Sequence, residues 1–239
     1  MIKFENTEVM NFEGAIRGMR NPLNSWDKSD SIKCNCSCND CIYPCLKNNG
    51  LNISYVIGKN DLDLAQRLIK AGSDHRKFLR QIFVSVDITA PLYWWKEFDT
   101  YKVGTVANSC STMHKIHANE LTLDDFSTEH LFDGIDNVEG VGDMEYYENP
   151  TTCIEYTIRV LNHYRKKYLE TKDKRYWWQM IQLLPSSYNQ KRTVTLNYEV
   201  LRNIRNSDRK HHKLDEWRIG FMEWIDSLPY ADELIKVGI

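Results

Sequence analysis

The stretch DITAPLYWWKEFDTYKVGT, residues 87–105, decides how this chain is read. Just before and into it, IFVSVDI at 82–88 alternates apolar and polar positions and is rich in β-branched residues, so a strand is predicted there. Pro91 suits the first position of a helix, where its missing N–H is not needed, and that helix carries Trp94 and Trp95. Neighbouring helical residues point about 100° apart. The two indoles therefore do not face one ligand together. Packing into a core and an interface is the ordinary reading, and stacking on a planar ligand is the alternative.

Outward from this stretch, residues 2–9 predict a strand with Ile2, Phe4 and Val9 on one side, and residues 11–20 a short helix ending at Asn21-Pro22. Residues 21–53 read as loop. A helix capped by Asn60 follows, with Asp63 in its first turn, Gly72 at its end and a buried stripe of Leu62, Ala65, Leu68 and Ile69. A second helix is expected at 74–81. Residues 117–148 are acidic and irregular. Asn149-Pro150 opens a long helical region, broken near Thr171–Lys174 and resuming to Leu184-Pro185. A strand at 192–197 and helices at about 198–206 and 213–226 complete the order.

The 239 residues suit one large domain. With 42% hydrophobic and 27% charged residues the composition is that of a globular protein, and 7 Trp and 13 Tyr are a modest aromatic surplus that suits interfaces. A formal charge of −2 gives no global field toward nucleic acid polymers or acidic membranes, although it leaves room for a local basic patch. No apolar run nears the ~18 residues a membrane span needs, and the N-terminal sequence is no signal peptide, so a cytoplasmic protein is expected. Strands and helices do not alternate regularly, and neither GxGxxG nor GxxxxGKS occurs, which argues against a doubly wound sheet and a P-loop.

This order of elements resembles the flavin-dependent thymidylate synthases, over roughly residues 58–115 and 180–220. The family has a strand, an Ala-Pro-type turn and a helix ending in the signature R-H-R-x-x-S-x-N-E-x-S-x-R. Laid on without gaps, it falls on Thr100, Tyr101, Lys102, Thr105, Ala107, Asn108, Cys110 and Thr112. Only Lys102 keeps a cation among the first three basic positions, Cys110 stands for a serine, and Lys96-Glu97 stands for an Arg-Gln pair. A second anchor, LLPSSYNQKRTVTLNYEVLRNIRNSDRKHHKLDEW, matches the family's Leu-Pro, a strand ending in Asn197, a helix with Asn203, then Arg209 and Trp217. Gln182 is the nearest polar residue to the arginine the family keeps before Leu-Pro. His75 fits the family's Gly-His, and Gln81 stands for its later histidine.

The resemblance implies an α+β fold, with a central mixed sheet flanked by long helices, as a single domain over 1–239 with a Cys-rich insertion at about 31–50. It implies reductive methylation of dUMP with methylenetetrahydrofolate, FAD and NADPH, by a homotetramer. Lys96, Lys102, Thr105, Asn197, Asn203 and His75 are then expected at the flavin, and Arg209, Glu97, Cys110 and Gln182 at the nucleotide monophosphate. Phosphates favour arginine forks, and a lysine offers a point charge without one. Losing an Arg–phosphate contact costs roughly 1.5–3 kcal/mol. Lys96, Lys115, Arg192 and Arg202 are the candidate replacements. The eroded signature keeps two rivals open: a non-catalytic nucleotide-binding or scaffold relative, and an enzyme of altered nucleotide chemistry in which Glu97 accepts a proton.

Five of the seven cysteines, Cys34, Cys36, Cys38, Cys41 and Cys45, crowd into CNCSCNDCIYPC. Cys38-x-x-Cys41 is a usable chelate pair for zinc, with His114, His117, His211 or His212 as further ligands; an iron–sulfur cluster, redox chemistry and plain reduced thiols are the alternatives. Cys110 reads as a buried structural thiol rather than a nucleophile, having no evident base beside it. The basic run RNSDRKHHK, 205–213, is a solvated loop by default and a phosphate patch by its overlap with Arg209.

Overall fold

The computed structural model describes residues 2–33, 47–48, 51–52, 55–133, 149–206 and 208–238. The five clustered cysteines, and the zinc or iron–sulfur expectation attached to them, lie outside the described residues. A four-stranded sheet has the order β1–β2–β4–β3, with β1 Lys3–Met10, β2 Phe83–Pro91, β3 Val106–Ser109 and β4 Asn189–Asn197. The chain divides into two compact units, one made of Thr89–Phe98 and Ser109–Arg192, the other of Ile2–Ile88, Asp99–Asn108 and Thr193–Ile239. β2 and β4 supply residues to both.

In the second unit, β1 leads into α1 (Phe12–Arg20). Asn6 takes a left-handed φ of 52°, which shifts the parity of β1 so that Phe4, Thr7 and Val9 are the partly covered positions. Phe4 stacks on Trp224 at 4.8 Å, and the Trp224 indole N–H donates to Thr7 Oγ1 at 3.1 Å. The alternation of β2 is as its sequence reads: Val84, Val86 and Ile88 are fully buried. On its other side Asp87 accepts from Asn6 Nδ2 (2.9 Å) and Thr193 Oγ1 (2.6 Å). Pro91 closes β2 instead of opening a helix, and α3 is Leu92–Phe98.

α2 spans Lys59–Lys70, capped by Gly58 with Asn60 already in its first turn. Its buried residues are Asp61, Leu64, Ala65 and Ile69, so the expected stripe is rotated and Leu62 and Leu68 lie at its margins. The cause is an ion pair: Arg20 Nε donates to the fully buried Asp61 at 2.5 Å, while Ser29 and Ser31 hydroxyls donate to its other oxygen. The helix expected at 74–81 is a 3-10 turn, Arg76–Gln81. α6, Tyr198–Asn206, has the predicted bounds. The helix expected at 213–226 begins as a π-helical stretch, Glu216–Phe221, and becomes α-helical over α7, Met222–Asp226.

In the first unit Trp94 and Trp95 are both buried. Trp94 stacks on Phe98 at 5.0 Å and Trp95 meets Phe98 edge-on at 5.4 Å, so the pair serves packing rather than an exposed platform. α4 (Pro150–Thr171) is capped by Asn149, whose side chain accepts from Thr152 N–H, and ends at Lys172 in the left-handed region, φ 59°. Asp173 caps α5, Lys174–Leu183. Ile154, Ile158 and Leu161 of α4 pack with Ile116, Leu121, Phe126 and Met180 into one apolar cluster. No described helix is long and apolar enough to cross a membrane.

Candidate functional site

The residues expected at a site divide between the two units. In the second unit, the loop holding the first four signature positions, Thr100, Tyr101, Lys102 and Thr105, meets the junction of β4 and α6. Asn197 ends β4, is buried, and caps α6 by accepting from Val200 N–H at 3.0 Å. Gly104 approaches it so closely that an added Cβ would lie 2.7 Å from Asn197 Nδ2, and Gly104 has φ +76°. A residue without Cβ is required there on both counts. One residue on, Thr105 Oγ1 is buried with no hydrogen-bond partner. A buried unpaired hydroxyl is costly, so this atom is a donor in want of an acceptor. Lys102, three residues earlier, is exposed.

The helical turn after His75 packs on α6. Arg76 donates from Nε to Glu199 at 3.1 Å and from Nη2 to Asn203 at 3.5 Å. Glu199 is buried; its second oxygen lacks a hydrogen bond and has Arg80 Nε at 4.0 Å. The neighbouring Arg202 is buried and donates to the carbonyl of Ile235 at 2.6 Å. Burial, and then the charge of Arg76, lower its pKa, against the opposing pull of Glu199. His75 and Asn203 themselves are exposed, at the rim of this arginine–glutamate cluster.

Arg209 is engaged within the protein. Its Nε donates to the Tyr101 hydroxyl at 2.7 Å, and its guanidinium lies 4.9 Å from the Trp217 ring centroid. Tyr101 stands at a signature position where the resemblance calls for a cation, and here it holds the cation of another segment instead.

In the first unit, Lys96 is exposed and Glu97 half-buried on α3. Their neighbour Trp95 begins a chain of contacts with β4. The Trp95 indole N–H donates to the Gln190 carbonyl at 3.0 Å, and Arg192 lies over the Trp95 ring at 4.1 Å. Arg192 Nε donates to Gln190 Oε1 at 3.0 Å, and Gln190 Nε2 donates to the Cys110 carbonyl at 2.6 Å. Cys110 is exposed, contrary to the buried thiol expected: its backbone is pinned to β4, by Cys110 N–H donating to Lys191 O at 2.9 Å, which leaves the side chain facing out. Gln182 is exposed near the end of α5. Gln190, Arg76 and Glu199 carry much of this geometry and were not singled out in the sequence. Their spacing has no motif, and only their partners, far away in the chain, mark them.

Among the described residues no group of three or more His, Cys, Asp or Glu side chains converges to hold a metal ion. His114, His117, His211 and His212 thus form no such site among themselves.

No family model and no curated protein matches this sequence. Its structure is similar to that of thymidylate synthase X (ThyX) from Helicobacter pylori, in a crystal structure with FAD and dUMP, at a TM-score of 0.61 and 14% identity over 98% of this chain and 96% of that one. A second crystal structure of the Helicobacter pylori enzyme with FAD and dUMP matches at TM-score 0.61 and 15% identity, over 98% and 97% of the two chains. At such identity the likeness speaks for architecture alone: this chain has the α+β fold of the flavin-dependent thymidylate synthases.

Proposed function

We propose that this protein binds a flavin and a pyrimidine nucleoside monophosphate, and acts as a thymidylate synthase-like enzyme that methylates dUMP reductively with methylenetetrahydrofolate. The observation that carries the reading is the Gly104–Thr105 turn held against Asn197, with an unpaired buried hydroxyl at Thr105, in a fold whose neighbours were solved with FAD and dUMP. FAD, when bound, supplies the hydride chemistry, with NADPH as its reductant. The residues of this chain bind and orient. Thr105 Oγ1 donates to a phosphate or ribose oxygen, Lys102 adds a point charge, Asn197 holds the turn in place, and Asn203 and His75 offer polar contacts at the rim. In the first unit Lys96 is an exposed cation at the flavin side; Glu97, Cys110 and Gln182 are the nucleotide-side candidates. Arg209 reaches a phosphate only by giving up Tyr101. A homotetramer is part of the same proposal.

A second reading, a nucleotide-binding relative without catalysis, is favoured by one observation. Arg192, Arg202 and Arg209 are each already held inside the protein, which leaves lysines, without a fork, as the exposed cations of the candidate set. The visible spectrum of the purified protein with added FAD tests the first reading. A flavin band shifted by the protein is expected, with Thr105→Ala weakening FAD by about tenfold, the scale of one hydrogen bond. No bound flavin in excess FAD would sink it. Bound flavin without methylation of dUMP would leave the second reading standing.

A further inference from the structure

Apart from Gln182, near the end of α5, the function proposed above makes no use of the hairpin of α4 and α5. Between Tyr156 and Trp178 the chain holds seven Lys or Arg against two Asp or Glu, in a molecule of formal charge −2. Tyr156, Arg159, His163 and Lys166 follow one another at helical spacing on the exposed side of α4, and Lys174, Arg175 and Trp178 are exposed on α5. Tyr156 is 44% and Trp178 48% exposed. Cations and rings are interleaved. Arg159 lies 5.9 Å from the Tyr156 centroid, Lys167 5.8 Å from Tyr176, and Lys172 5.9 Å from Tyr168. Tyr164 stacks on Tyr176 at 6.2 Å and ties the two helices together.

The turn between the helices extends the same field. His117 meets Tyr168 edge-on at 4.9 Å. Burial first, and then the charges of Lys172, Lys115 and Arg165, push its imidazole below the ordinary histidine range. Of the two carboxylates in the stretch, Asp173 is occupied by Arg175, through Nε at 2.8 Å and Nη2 at 2.6 Å.

We infer that this helical hairpin is a docking surface for single-stranded nucleic acid. A phosphate backbone complements the cations, and unpaired bases have the flat faces that exposed rings stack on. An acidic protein face would answer the charge too, but it lacks the flat base faces on which the exposed rings of Tyr156 and Trp178 stack. A duplex would answer the charge too, but keeps its base faces covered. The inference does not rest on flavin binding.

The test is fluorescence anisotropy of a labelled oligothymidylate of about 15 nucleotides, long enough for one such site, titrated with the full chain at several salt concentrations. Saturable binding that weakens with salt is expected. Lys166→Glu/Lys172→Glu/Lys174→Glu should weaken it at least tenfold and lower the log–log salt slope by about 2, three phosphate contacts on a single strand. Trp178→Ala should weaken binding by about tenfold and abolish quenching of tryptophan fluorescence by the oligonucleotide, and it carries the test if the triple variant fails to fold. No anisotropy change at low salt overturns the inference, as does unchanged affinity in these variants. Heparin and duplex DNA competing as well as the single strand, with no quenching that depends on Trp178, overturns it in favour of a general polyanion surface.

Discussion

Asp61 has no exposed surface, yet it stands in the first turn of a helix whose sequence reads as solvent-facing there. Its partners explain the burial. Burial alone would raise its pKa; hydrogen bonds from Ser31, Ser29 and Arg20, with the charge of Arg20, outweigh that and bring the carboxyl below the usual range. A lowered folded-state pKa gives stability that is present above the unfolded value near 3.9 and is lost as pH falls through the folded value. Asp61→Asn should cost about 3–5 kcal/mol at neutral pH, because Arg20 is left as an uncompensated buried charge. Urea denaturation at pH 7 measures it, and the same variant should lose part of the acid sensitivity of the parent; an equally steep decline below pH 4 would contradict the assignment. At Gly104, Ala would meet Asn197 Nδ2 and adopt φ +76°, so Gly104→Ala should destabilise by roughly 1–2 kcal/mol. Denaturant midpoints at constant slope would show it.

At the scale of elements, the ends of α4 make two opposite predictions. Asn149 caps its N-terminus by accepting from Thr152 N–H at 2.8 Å, so Asn149→Ala should cost about 1 kcal/mol. Lys172, at the other end, is a side-chain-bearing residue in the left-handed conformation, where glycine is favoured. Lys172→Gly should therefore stabilise by about 0.5–1 kcal/mol, offset in part by the lost contact with Tyr168. Thermal unfolding of both variants checks the signs. These ends were legible because caps are local: Asn149-Pro150 and the break at 171–174 announce themselves within a few residues. The bounds of α6 were legible for the same reason, with Asn197 as its cap. The turn Arg76–Gln81 was read as a helix because its apolar spacing suits either form, and the tight 3-10 geometry comes from packing Phe78 and Leu79.

For the whole molecule, a ligand that binds only the folded state raises stability by RT ln(1 + [L]/Kd), about 2.7 kcal/mol at a hundredfold excess over Kd. FAD should accordingly raise the melting temperature in a concentration-dependent way, and an unmoved transition at saturating FAD would count against the flavin reading. Sedimentation should find particles of four 28.2 kDa chains if the proposed tetramer forms. The framework anchors in the sequence, Ala90-Pro91, Leu184-Pro185, Asn197 and Trp217, led to the fold that the structural likeness supports over 98% of the chain. The candidate site was legible only in part. Thr105, from the eroded signature, and Asn197, from the second anchor, stand next to one another's segments, but the capture of Arg209 by Tyr101 and of Arg192 by Trp95 left no trace in spacing.

The division follows the range of the forces. Periodicity, caps and breakers act over a few residues, so the sequence by itself determined most elements and their order, while the class of fold came from the resemblance those elements and anchors carry. Which polar groups are buried, and which cations remain available to a ligand, depends on partners brought together by packing. Arg20 finds Asp61 41 residues away and Arg209 finds Tyr101 108 residues away. Only the tertiary structure decides such pairs, because desolvation and charge pairing are set by the finished environment and not by neighbours in the chain.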